Sequence, residues 1–123
     1  MSFWRFEHEK FLFIKYNQET VSDLENLKKE LTAESLRSSC RDIVLDCSKA
    51  GFISSVEIGI IIQFLKTLPG TGRFLRLVAS SYVCELLIAM NIHRISNIII
   101  YNSLEMVQQH FGPSVDISAL KPA

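Results

Sequence analysis

Short apolar runs alternate with helical patterns along this chain, and their order predicts the fold. Runs rich in β-branched and aromatic residues predict strands at residues 3–7, 10–16, 42–46, 74–78 and 97–101. Apolar residues at helical spacing predict helices at residues 20–36, 55–68, 82–90 and 103–111. We therefore expect a single α/β domain over residues 1–123, in which about five strands form a mixed, mostly parallel sheet with about four helices.

Side-chain patterns within these segments predict which residues are buried. The second strand has no polar face, so we expect it to be covered on both sides. In the first helix the leucines should face the core, and the charged residues should face solvent: Lys28, Lys29, Glu30 and Glu34. This helix starts at Thr20, or at Ser22 if Ser22 and Glu25 form a capping box. The third helix should bury four residues: Val83, Leu86, Leu87 and Met90.

Two features predict where the third helix ends and how the chain continues after the last helix. Asn91 follows the third helix where a left-handed residue would terminate it, a conformation that Asn tolerates well. Pro113 follows the last helix, and from about residue 113 onward we expect a loosely held tail.

The helix predicted from residue 55 has more apolar surface than one core contact requires. The core-facing side of this helix consists of Ile58, Ile61, Ile62, Leu65 and Leu68. A second row, spaced four residues apart, consists of Val56, Ile60 and Phe64. Because a helix on a sheet buries one stripe, this second row must pack under another segment or face a partner.

Composition narrows the classes of function. Thirteen basic and thirteen acidic residues cancel, so the overall charge predicts no nucleic-acid or anionic-membrane partner. The longest apolar stretch is too short for membrane insertion, and the N-terminus lacks the pattern of a secretory signal. Three cysteines without ligand-like spacing indicate a reducing cytoplasm and no metal or cofactor. No catalytic constellation is visible, so we expect a protein that is not an enzyme.

The segments 43–46 (IVLD) and 52–59 (FISSVEIG) carry a family resemblance. Together with the order of elements, they resemble the STAS domain of bacterial anti-sigma-factor antagonists. In that family an apolar strand precedes an aromatic and an apolar residue, and then Asp, Ser, Ser/Thr, Gly, Leu and Gly. Here Ser54 stands in place of the Asp, Val56 in place of the second hydroxyl residue, and Glu57 in place of the first Gly.

The resemblance implies a regulatory function. In the antagonist branch a partner kinase, itself the anti-sigma factor, phosphorylates the serine after the Asp and thereby breaks the complex. Carried over by position, the phosphoacceptor is Ser55, with Ser54 as the alternative. The expected partner-binding residues are Ser54, Val56, Glu57, Ile60 and Phe64. A phosphatase and a homodimer are further partners that the sequence leaves open.

Two alternatives compete with this interpretation. Ser54 and Glu57 have capping-box spacing, so the serines could serve only to start a helix, a contribution of about 1 kcal/mol. The protein could also be a non-phosphorylated STAS scaffold, a permanent subunit of a larger signalling or lipid-transport complex. Asp46, at the end of a strand, is expected to order the loop that follows it.

Overall fold

Five strands form one sheet in chain order in the computed structural model, which describes residues 2–121. They are β1 (Phe3–Glu7), β2 (Phe11–Tyr16), β3 (Asp42–Cys47), β4 (Leu75–Ala79) and β5 (Ile98–Tyr101). β1 runs antiparallel to β2, and the pairs β2–β3, β3–β4 and β4–β5 are parallel. The predicted mixed, mostly parallel sheet is confirmed.

Four α-helices connect and follow these strands within the described residues. They are α1 (Val21–Ser35), α2 (Ser55–Leu65), α3 (Ser81–Ala89) and α4 (Leu104–Phe111). Short 3₁₀ turns occur at Ile92–Arg94 and Ile117–Ala119. The predicted order of elements is confirmed, although α2 ends three residues earlier than expected.

Helices cover both faces of the sheet, but unequally. The main core lies between the sheet and α1, α2 and α3, and includes Leu27, Leu31, Ile61, Leu65, Val83 and Leu87. A smaller core on the other face lies beneath α4 and the C-terminal segment, and includes Phe11, Phe13, Val44, Val78, Val107 and Ile117. β2 contributes alternate residues to both cores, which explains its lack of a polar face.

The C-terminal segment is not the loose tail that the sequence predicted. Ile117 is buried in the smaller core. The Gln108 side chain donates to the carbonyl of Val115 at 2.6 Å and accepts the N–H of Ile117 at 2.6 Å. These contacts bind the segment to α4, because α4 alone is too short to cover this face. Residues 122 and 123 lie outside the described residues.

Glu34 is buried, contrary to the prediction that it faces solvent. Its carboxylate accepts hydrogen bonds from Arg41 at 2.5 Å and from Arg73 at 2.6 Å. Arg73 also donates to the backbone carbonyls of Arg41 and Glu34, at 2.7 and 2.9 Å. This ionic cluster joins the end of α1 to the segments that enter β3 and β4. Helical spacing cannot detect it, because the two arginines come from distant loops.

Two helix ends also differ from the predictions. α1 begins at Val21, and Asp23, not Glu25, accepts the N–H of Thr20 at 2.9 Å. Met90 is 47% exposed, because α3 ends at Ala89 and the chain turns away through Asn91. The predicted left-handed conformation of Asn91 is confirmed, with φ 61°.

Removing the Glu34 carboxylate tests the ionic cluster. Glu34→Ala leaves the buried Arg73 without its counterion and Arg41 with only the more exposed Glu7, so we expect it to lower the free energy of unfolding by about 3–5 kcal/mol. Urea denaturation measures the loss. Glu25→Ala, at an exposed position on the same helix, is the control and should change stability by less than about 0.5 kcal/mol. Equal stability of the two variants would contradict this role.

The cluster also predicts a loss of stability in acid. Burial alone would raise the pKa of Glu34, but Arg41 and Arg73 outweigh it and hold that pKa below its ordinary value of 4.5. The stabilisation is therefore present above pH 4.5 and is lost as the pH falls through the folded-state pKa. Urea denaturation from pH 7 downward should show a smaller fall in stability for Glu34→Gln than for the wild type. If the free energy of unfolding fell equally with pH for Glu34→Gln and the wild type, this prediction would be wrong.

Candidate functional site

The candidate site is the beginning of α2, where the chain leaves the carboxyl end of β3 through a short loop. Ser54 is the N-cap, and its hydroxyl accepts the N–H of Glu57 at 3.2 Å. The Glu57 carboxylate in turn accepts the N–H of Ser54 at 2.8 Å. The predicted capping box is therefore present, and it uses the hydroxyl of Ser54 to start the helix.

Ser55 differs from Ser54 in its surroundings. It is the first residue of α2 and is exposed, whereas Ser54 is half-buried. Within residues 2–121 the Ser55 hydroxyl makes no hydrogen bond, and the Ser54 hydroxyl is engaged in the cap. Of the two candidate phosphoacceptors, Ser55 is therefore the one whose hydroxyl is open to solvent.

The second apolar row passes from surface to core along α2. Val56 is 56% exposed, Ile60 is half-buried, and Phe64 is only 3% exposed. Phe64 belongs to the main core together with Leu31 of α1. One of the two options that the sequence left open is thus realised at Phe64, which packs under α1, while Val56 at the beginning of the row faces solvent.

A groove between α1 and α2 continues this row and has a volume of about 480 Å³. Leu31, Ile60 and Phe64 supply apolar walls, and Lys28 is the one charged residue among those lining the groove. Gly59 also lines it, and a Cβ built on Gly59 would have no atom within 4 Å. The groove is therefore open at the middle of α2.

A further exposed apolar side chain, Phe52, precedes Ser55 by three residues and lines a separate hollow with Ser54 and Glu57. It lies in the loop before α2 and is 66% exposed. Sequence reasoning used Phe52 only as part of the family signature and did not include it among the binding residues. An aromatic side chain in a polar loop beside a glycine was the available signal. We call Phe52, Val56 and Ile60 the docking patch.

Glu57 was predicted to contact a partner, but its side chain is directed into the protein. It is 3% exposed, and its carboxylate lies beside the buried hydroxyl of Tyr16. Burial first, and then the neighbouring Glu57, raises the pKa of Tyr16. Within the described part of the chain, the Tyr16 hydroxyl has no hydrogen-bond partner. The Glu57 carboxylate therefore completes the capping box from inside the protein, and its side chain exposes almost no surface to a partner.

Other chemistry near the site is structural. Asp46 is buried, contacts the Lys15 ammonium at 3.1 Å and accepts the N–H of Ser48 at 3.0 Å, which agrees with the expected loop-ordering role. Burial first, and then the charge of Asp46, raises the pKa of Cys47. The described residues contain no group of three metal-ligating side chains. Among residues 2–121, no helix combines the length and apolarity that a membrane crossing requires.

Comparisons with known proteins identify the fold. No protein-family model and no curated protein matches the sequence. A solved structure of a proposed anti-sigma factor antagonist from Thermotoga maritima has a TM-score of 0.71 and 22% identity, over 88% of this chain and 92% of that one. An anti-sigma-factor antagonist (STAS) domain protein from Planctomyces limnophilus has a TM-score of 0.69 and 14% identity, over 89% and 98%. An anti-sigma factor antagonist from Mycobacterium paratuberculosis has a TM-score of 0.69 and 15% identity, over 88% and 91%. The chain therefore has the STAS fold.

Gly59 provides a test of the open groove. Gly59→Ala should raise the free energy of unfolding by about 0.5–1 kcal/mol, because alanine favours a helix interior and its methyl group meets no atom of the chain. Thermal or urea unfolding measures this. Gly70→Ala is the control and should destabilise, since Gly70 has φ +82°. A destabilised Gly59→Ala would mean that the groove is closed in solution.

Proposed function

We propose that this chain is a cytoplasmic regulatory module of the anti-sigma-factor-antagonist type. It binds a serine-kinase-like anti-sigma factor, and phosphorylation of Ser55 ends that binding. One observation carries the proposal: Ser55 is exposed in the first turn of α2, directly before the exposed Val56 and three residues after the exposed Phe52 in the chain. The STAS fold and the position of Ser55 in the family signature support it.

The docking patch supplies the contact surface. Phe52 and Val56 are large exposed apolar residues, and exposed apolar side chains gathered at one place favour a protein partner over solvent. Ile60 extends the patch into the groove beside α1. Glu57 and Phe64 position this surface from beneath instead of forming it.

Phosphorylation opposes docking while leaving the fold intact. A phosphate adds about −1.5 to −2 charges and three acceptor oxygens. At the first residue of α2 the helix dipole favours that charge by about 0.3–1 kcal/mol, so the domain tolerates it. The same charge lies directly before the exposed Val56 in the first turn of α2, where a docked partner would have to desolvate it. Phosphorylation of Ser55 therefore lowers the affinity for the partner without unfolding the domain.

The reaction cycle needs enzymes that the chain itself does not provide. The partner kinase supplies the phosphate, and a phosphatase returns the chain to its binding form. The chain itself acts as a substrate and a binding partner, not as an enzyme. In its unphosphorylated form it holds the anti-sigma factor and frees the sigma factor.

Phosphate mapping tests the acceptor. The full chain is incubated with ATP and a candidate anti-sigma factor of the serine-kinase type, and modified peptides are mapped by mass spectrometry. We expect phosphate on Ser55 and none on Ser55→Ala, because of the two serines before α2 Ser55 is exposed, whereas the Ser54 hydroxyl is engaged in the cap. Ser81, also the first residue of a helix after a capping serine, is the matched control. Phosphate on Ser81 but not on Ser55 would reject the proposal.

Charge substitutions test the docking patch. Ser55→Asp and Val56→Asp should each weaken binding to the kinase by about tenfold or more, because each places a carboxylate in an apolar contact. Calorimetry measures the affinities. Ser81→Asp and Val21→Asp are the controls, since Val21 is an exposed valine in the first turn of α1. If Ser55→Ala and Ser55→Asp both bind like the wild type, the chain is a non-phosphorylated scaffold instead.

A further inference from the structure

The two edges of the sheet differ in how they are protected. β1 and β5 are the edge strands. β1 carries Arg5 and Glu7, which form ion pairs with Glu30 and Arg41. β5 reads Ile-Ile-Ile-Tyr and has no charge and no proline. Charges, prolines, bulges and a very short strand are the usual guards of an exposed edge. β5 has only the last of these, with four residues, so its edge is open to pairing with another strand.

The backbone of β5 presents a defined set of donors and acceptors. The N–H of Leu75 donates to the carbonyl of Asn97 at 2.8 Å, and Leu75 is paired with Ile98. In a parallel ladder of this register the N–H groups of Ile99 and Tyr101 point to β4. The N–H and C=O groups of Ile98 and Ile100 therefore point outward. No hydrogen bond within residues 2–121 outside the strand ladders reaches them.

Apolar side chains flank this edge on both faces of the sheet. Ile99 is 37% exposed, Ile88 on α3 is 49% exposed, and Met106 on α4 is 48% exposed. A hollow of about 440 Å³ runs along the strand between these residues, and no Lys, Arg, Asp or Glu lines it. The edge can thus accept another strand without burying a charge.

We propose that two copies of this chain pair antiparallel along β5, with the two-fold axis at Ile99. Ile98 of one copy then exchanges two hydrogen bonds with Ile100 of the other, and symmetry repeats the exchange, giving four. The two Ile99 residues meet as a non-hydrogen-bonded pair, in which the side chains are closest. The two sheets become one continuous sheet.

A second copy suits this edge better than a foreign strand does. A two-fold interface places the same surface on both sides, so it must be complementary to itself. The outward-facing groups of Ile98 and Ile100 are symmetric about Ile99, and the hollow, whose lining includes His93, contains no Lys, Arg, Asp or Glu that would repel its own copy. The hollow includes no residue of α1 or α2. The dimer therefore leaves Ser55 accessible and carries two docking patches.

Sedimentation velocity over a concentration series tests the dimer with the full chain. The wild type should associate, and Ile99→Lys should raise the dimer dissociation constant by about tenfold or more, because it sets two ammonium groups opposite each other at the axis. Leu36→Lys, at an 83% exposed leucine at the end of α1, is the control and should dimerise like the wild type. A wild-type chain that stays monomeric at all concentrations overturns the proposal, whether or not Ser55 is phosphorylated.

Cross-linking tests the register even if Ile99→Lys destabilises the fold. In a Cys40→Ser background, Ile99→Cys should form an intermolecular disulfide on mild oxidation, because a non-hydrogen-bonded pair brings the Cα atoms to about 4.5 Å. Leu36→Cys in the same background is the control for random collisions. Equal cross-linking rates overturn the proposal.

Hydrogen exchange should also show the Ile98 and Ile100 amides becoming protected as the concentration rises, and unchanged exchange contradicts the pairing.

Discussion

The reciprocal capping of Ser54 and Glu57 is the interaction on which the rest of the site depends. It satisfies two N–H groups at the start of α2 and fixes where the helix begins. By engaging Ser54 and directing Glu57 inward, it leaves Ser55 as the exposed residue of the first turn. The structural and functional interpretations of the two serines are therefore compatible, since one serine caps the helix and the next is free for chemistry.

The two-sided sheet holds this site in place. α2 is fixed by the main core, in which Ile61 and Leu65 are almost fully buried, while the other face is closed by α4 and the segment around Ile117. The ionic cluster at Glu34 ties the end of α1 to the strands at the opposite end of the sheet. The docking patch is thus a small exposed part of a helix that is otherwise firmly packed, which suits a surface that must be recognised in one conformation.

Much of the fold follows from the sequence because its signals are local. The apolar run of β3, the turn at Asn91 and the spacing of Ser54 and Glu57 each depend on residues that are neighbours in the chain. The larger errors concern residues that are buried by partners outside their own helix or strand. Glu34 is buried by Arg41 and Arg73 from two separate loops, and Ile117 by a sheet face that local composition does not reveal. For the same reason the sequence could not distinguish the exposed Val56 from the buried Phe64, since both occupy the same helical row.

The affinity of the anti-sigma kinase for the purified Ser55-phosphorylated chain, compared with the unmodified chain, tests the central claim most directly. A single phosphate on Ser55, directly before the exposed Val56, should raise the dissociation constant at least about tenfold while leaving the free energy of unfolding unchanged within about 1 kcal/mol. Equal dissociation constants for the two forms would contradict a charge-controlled docking surface at the start of α2.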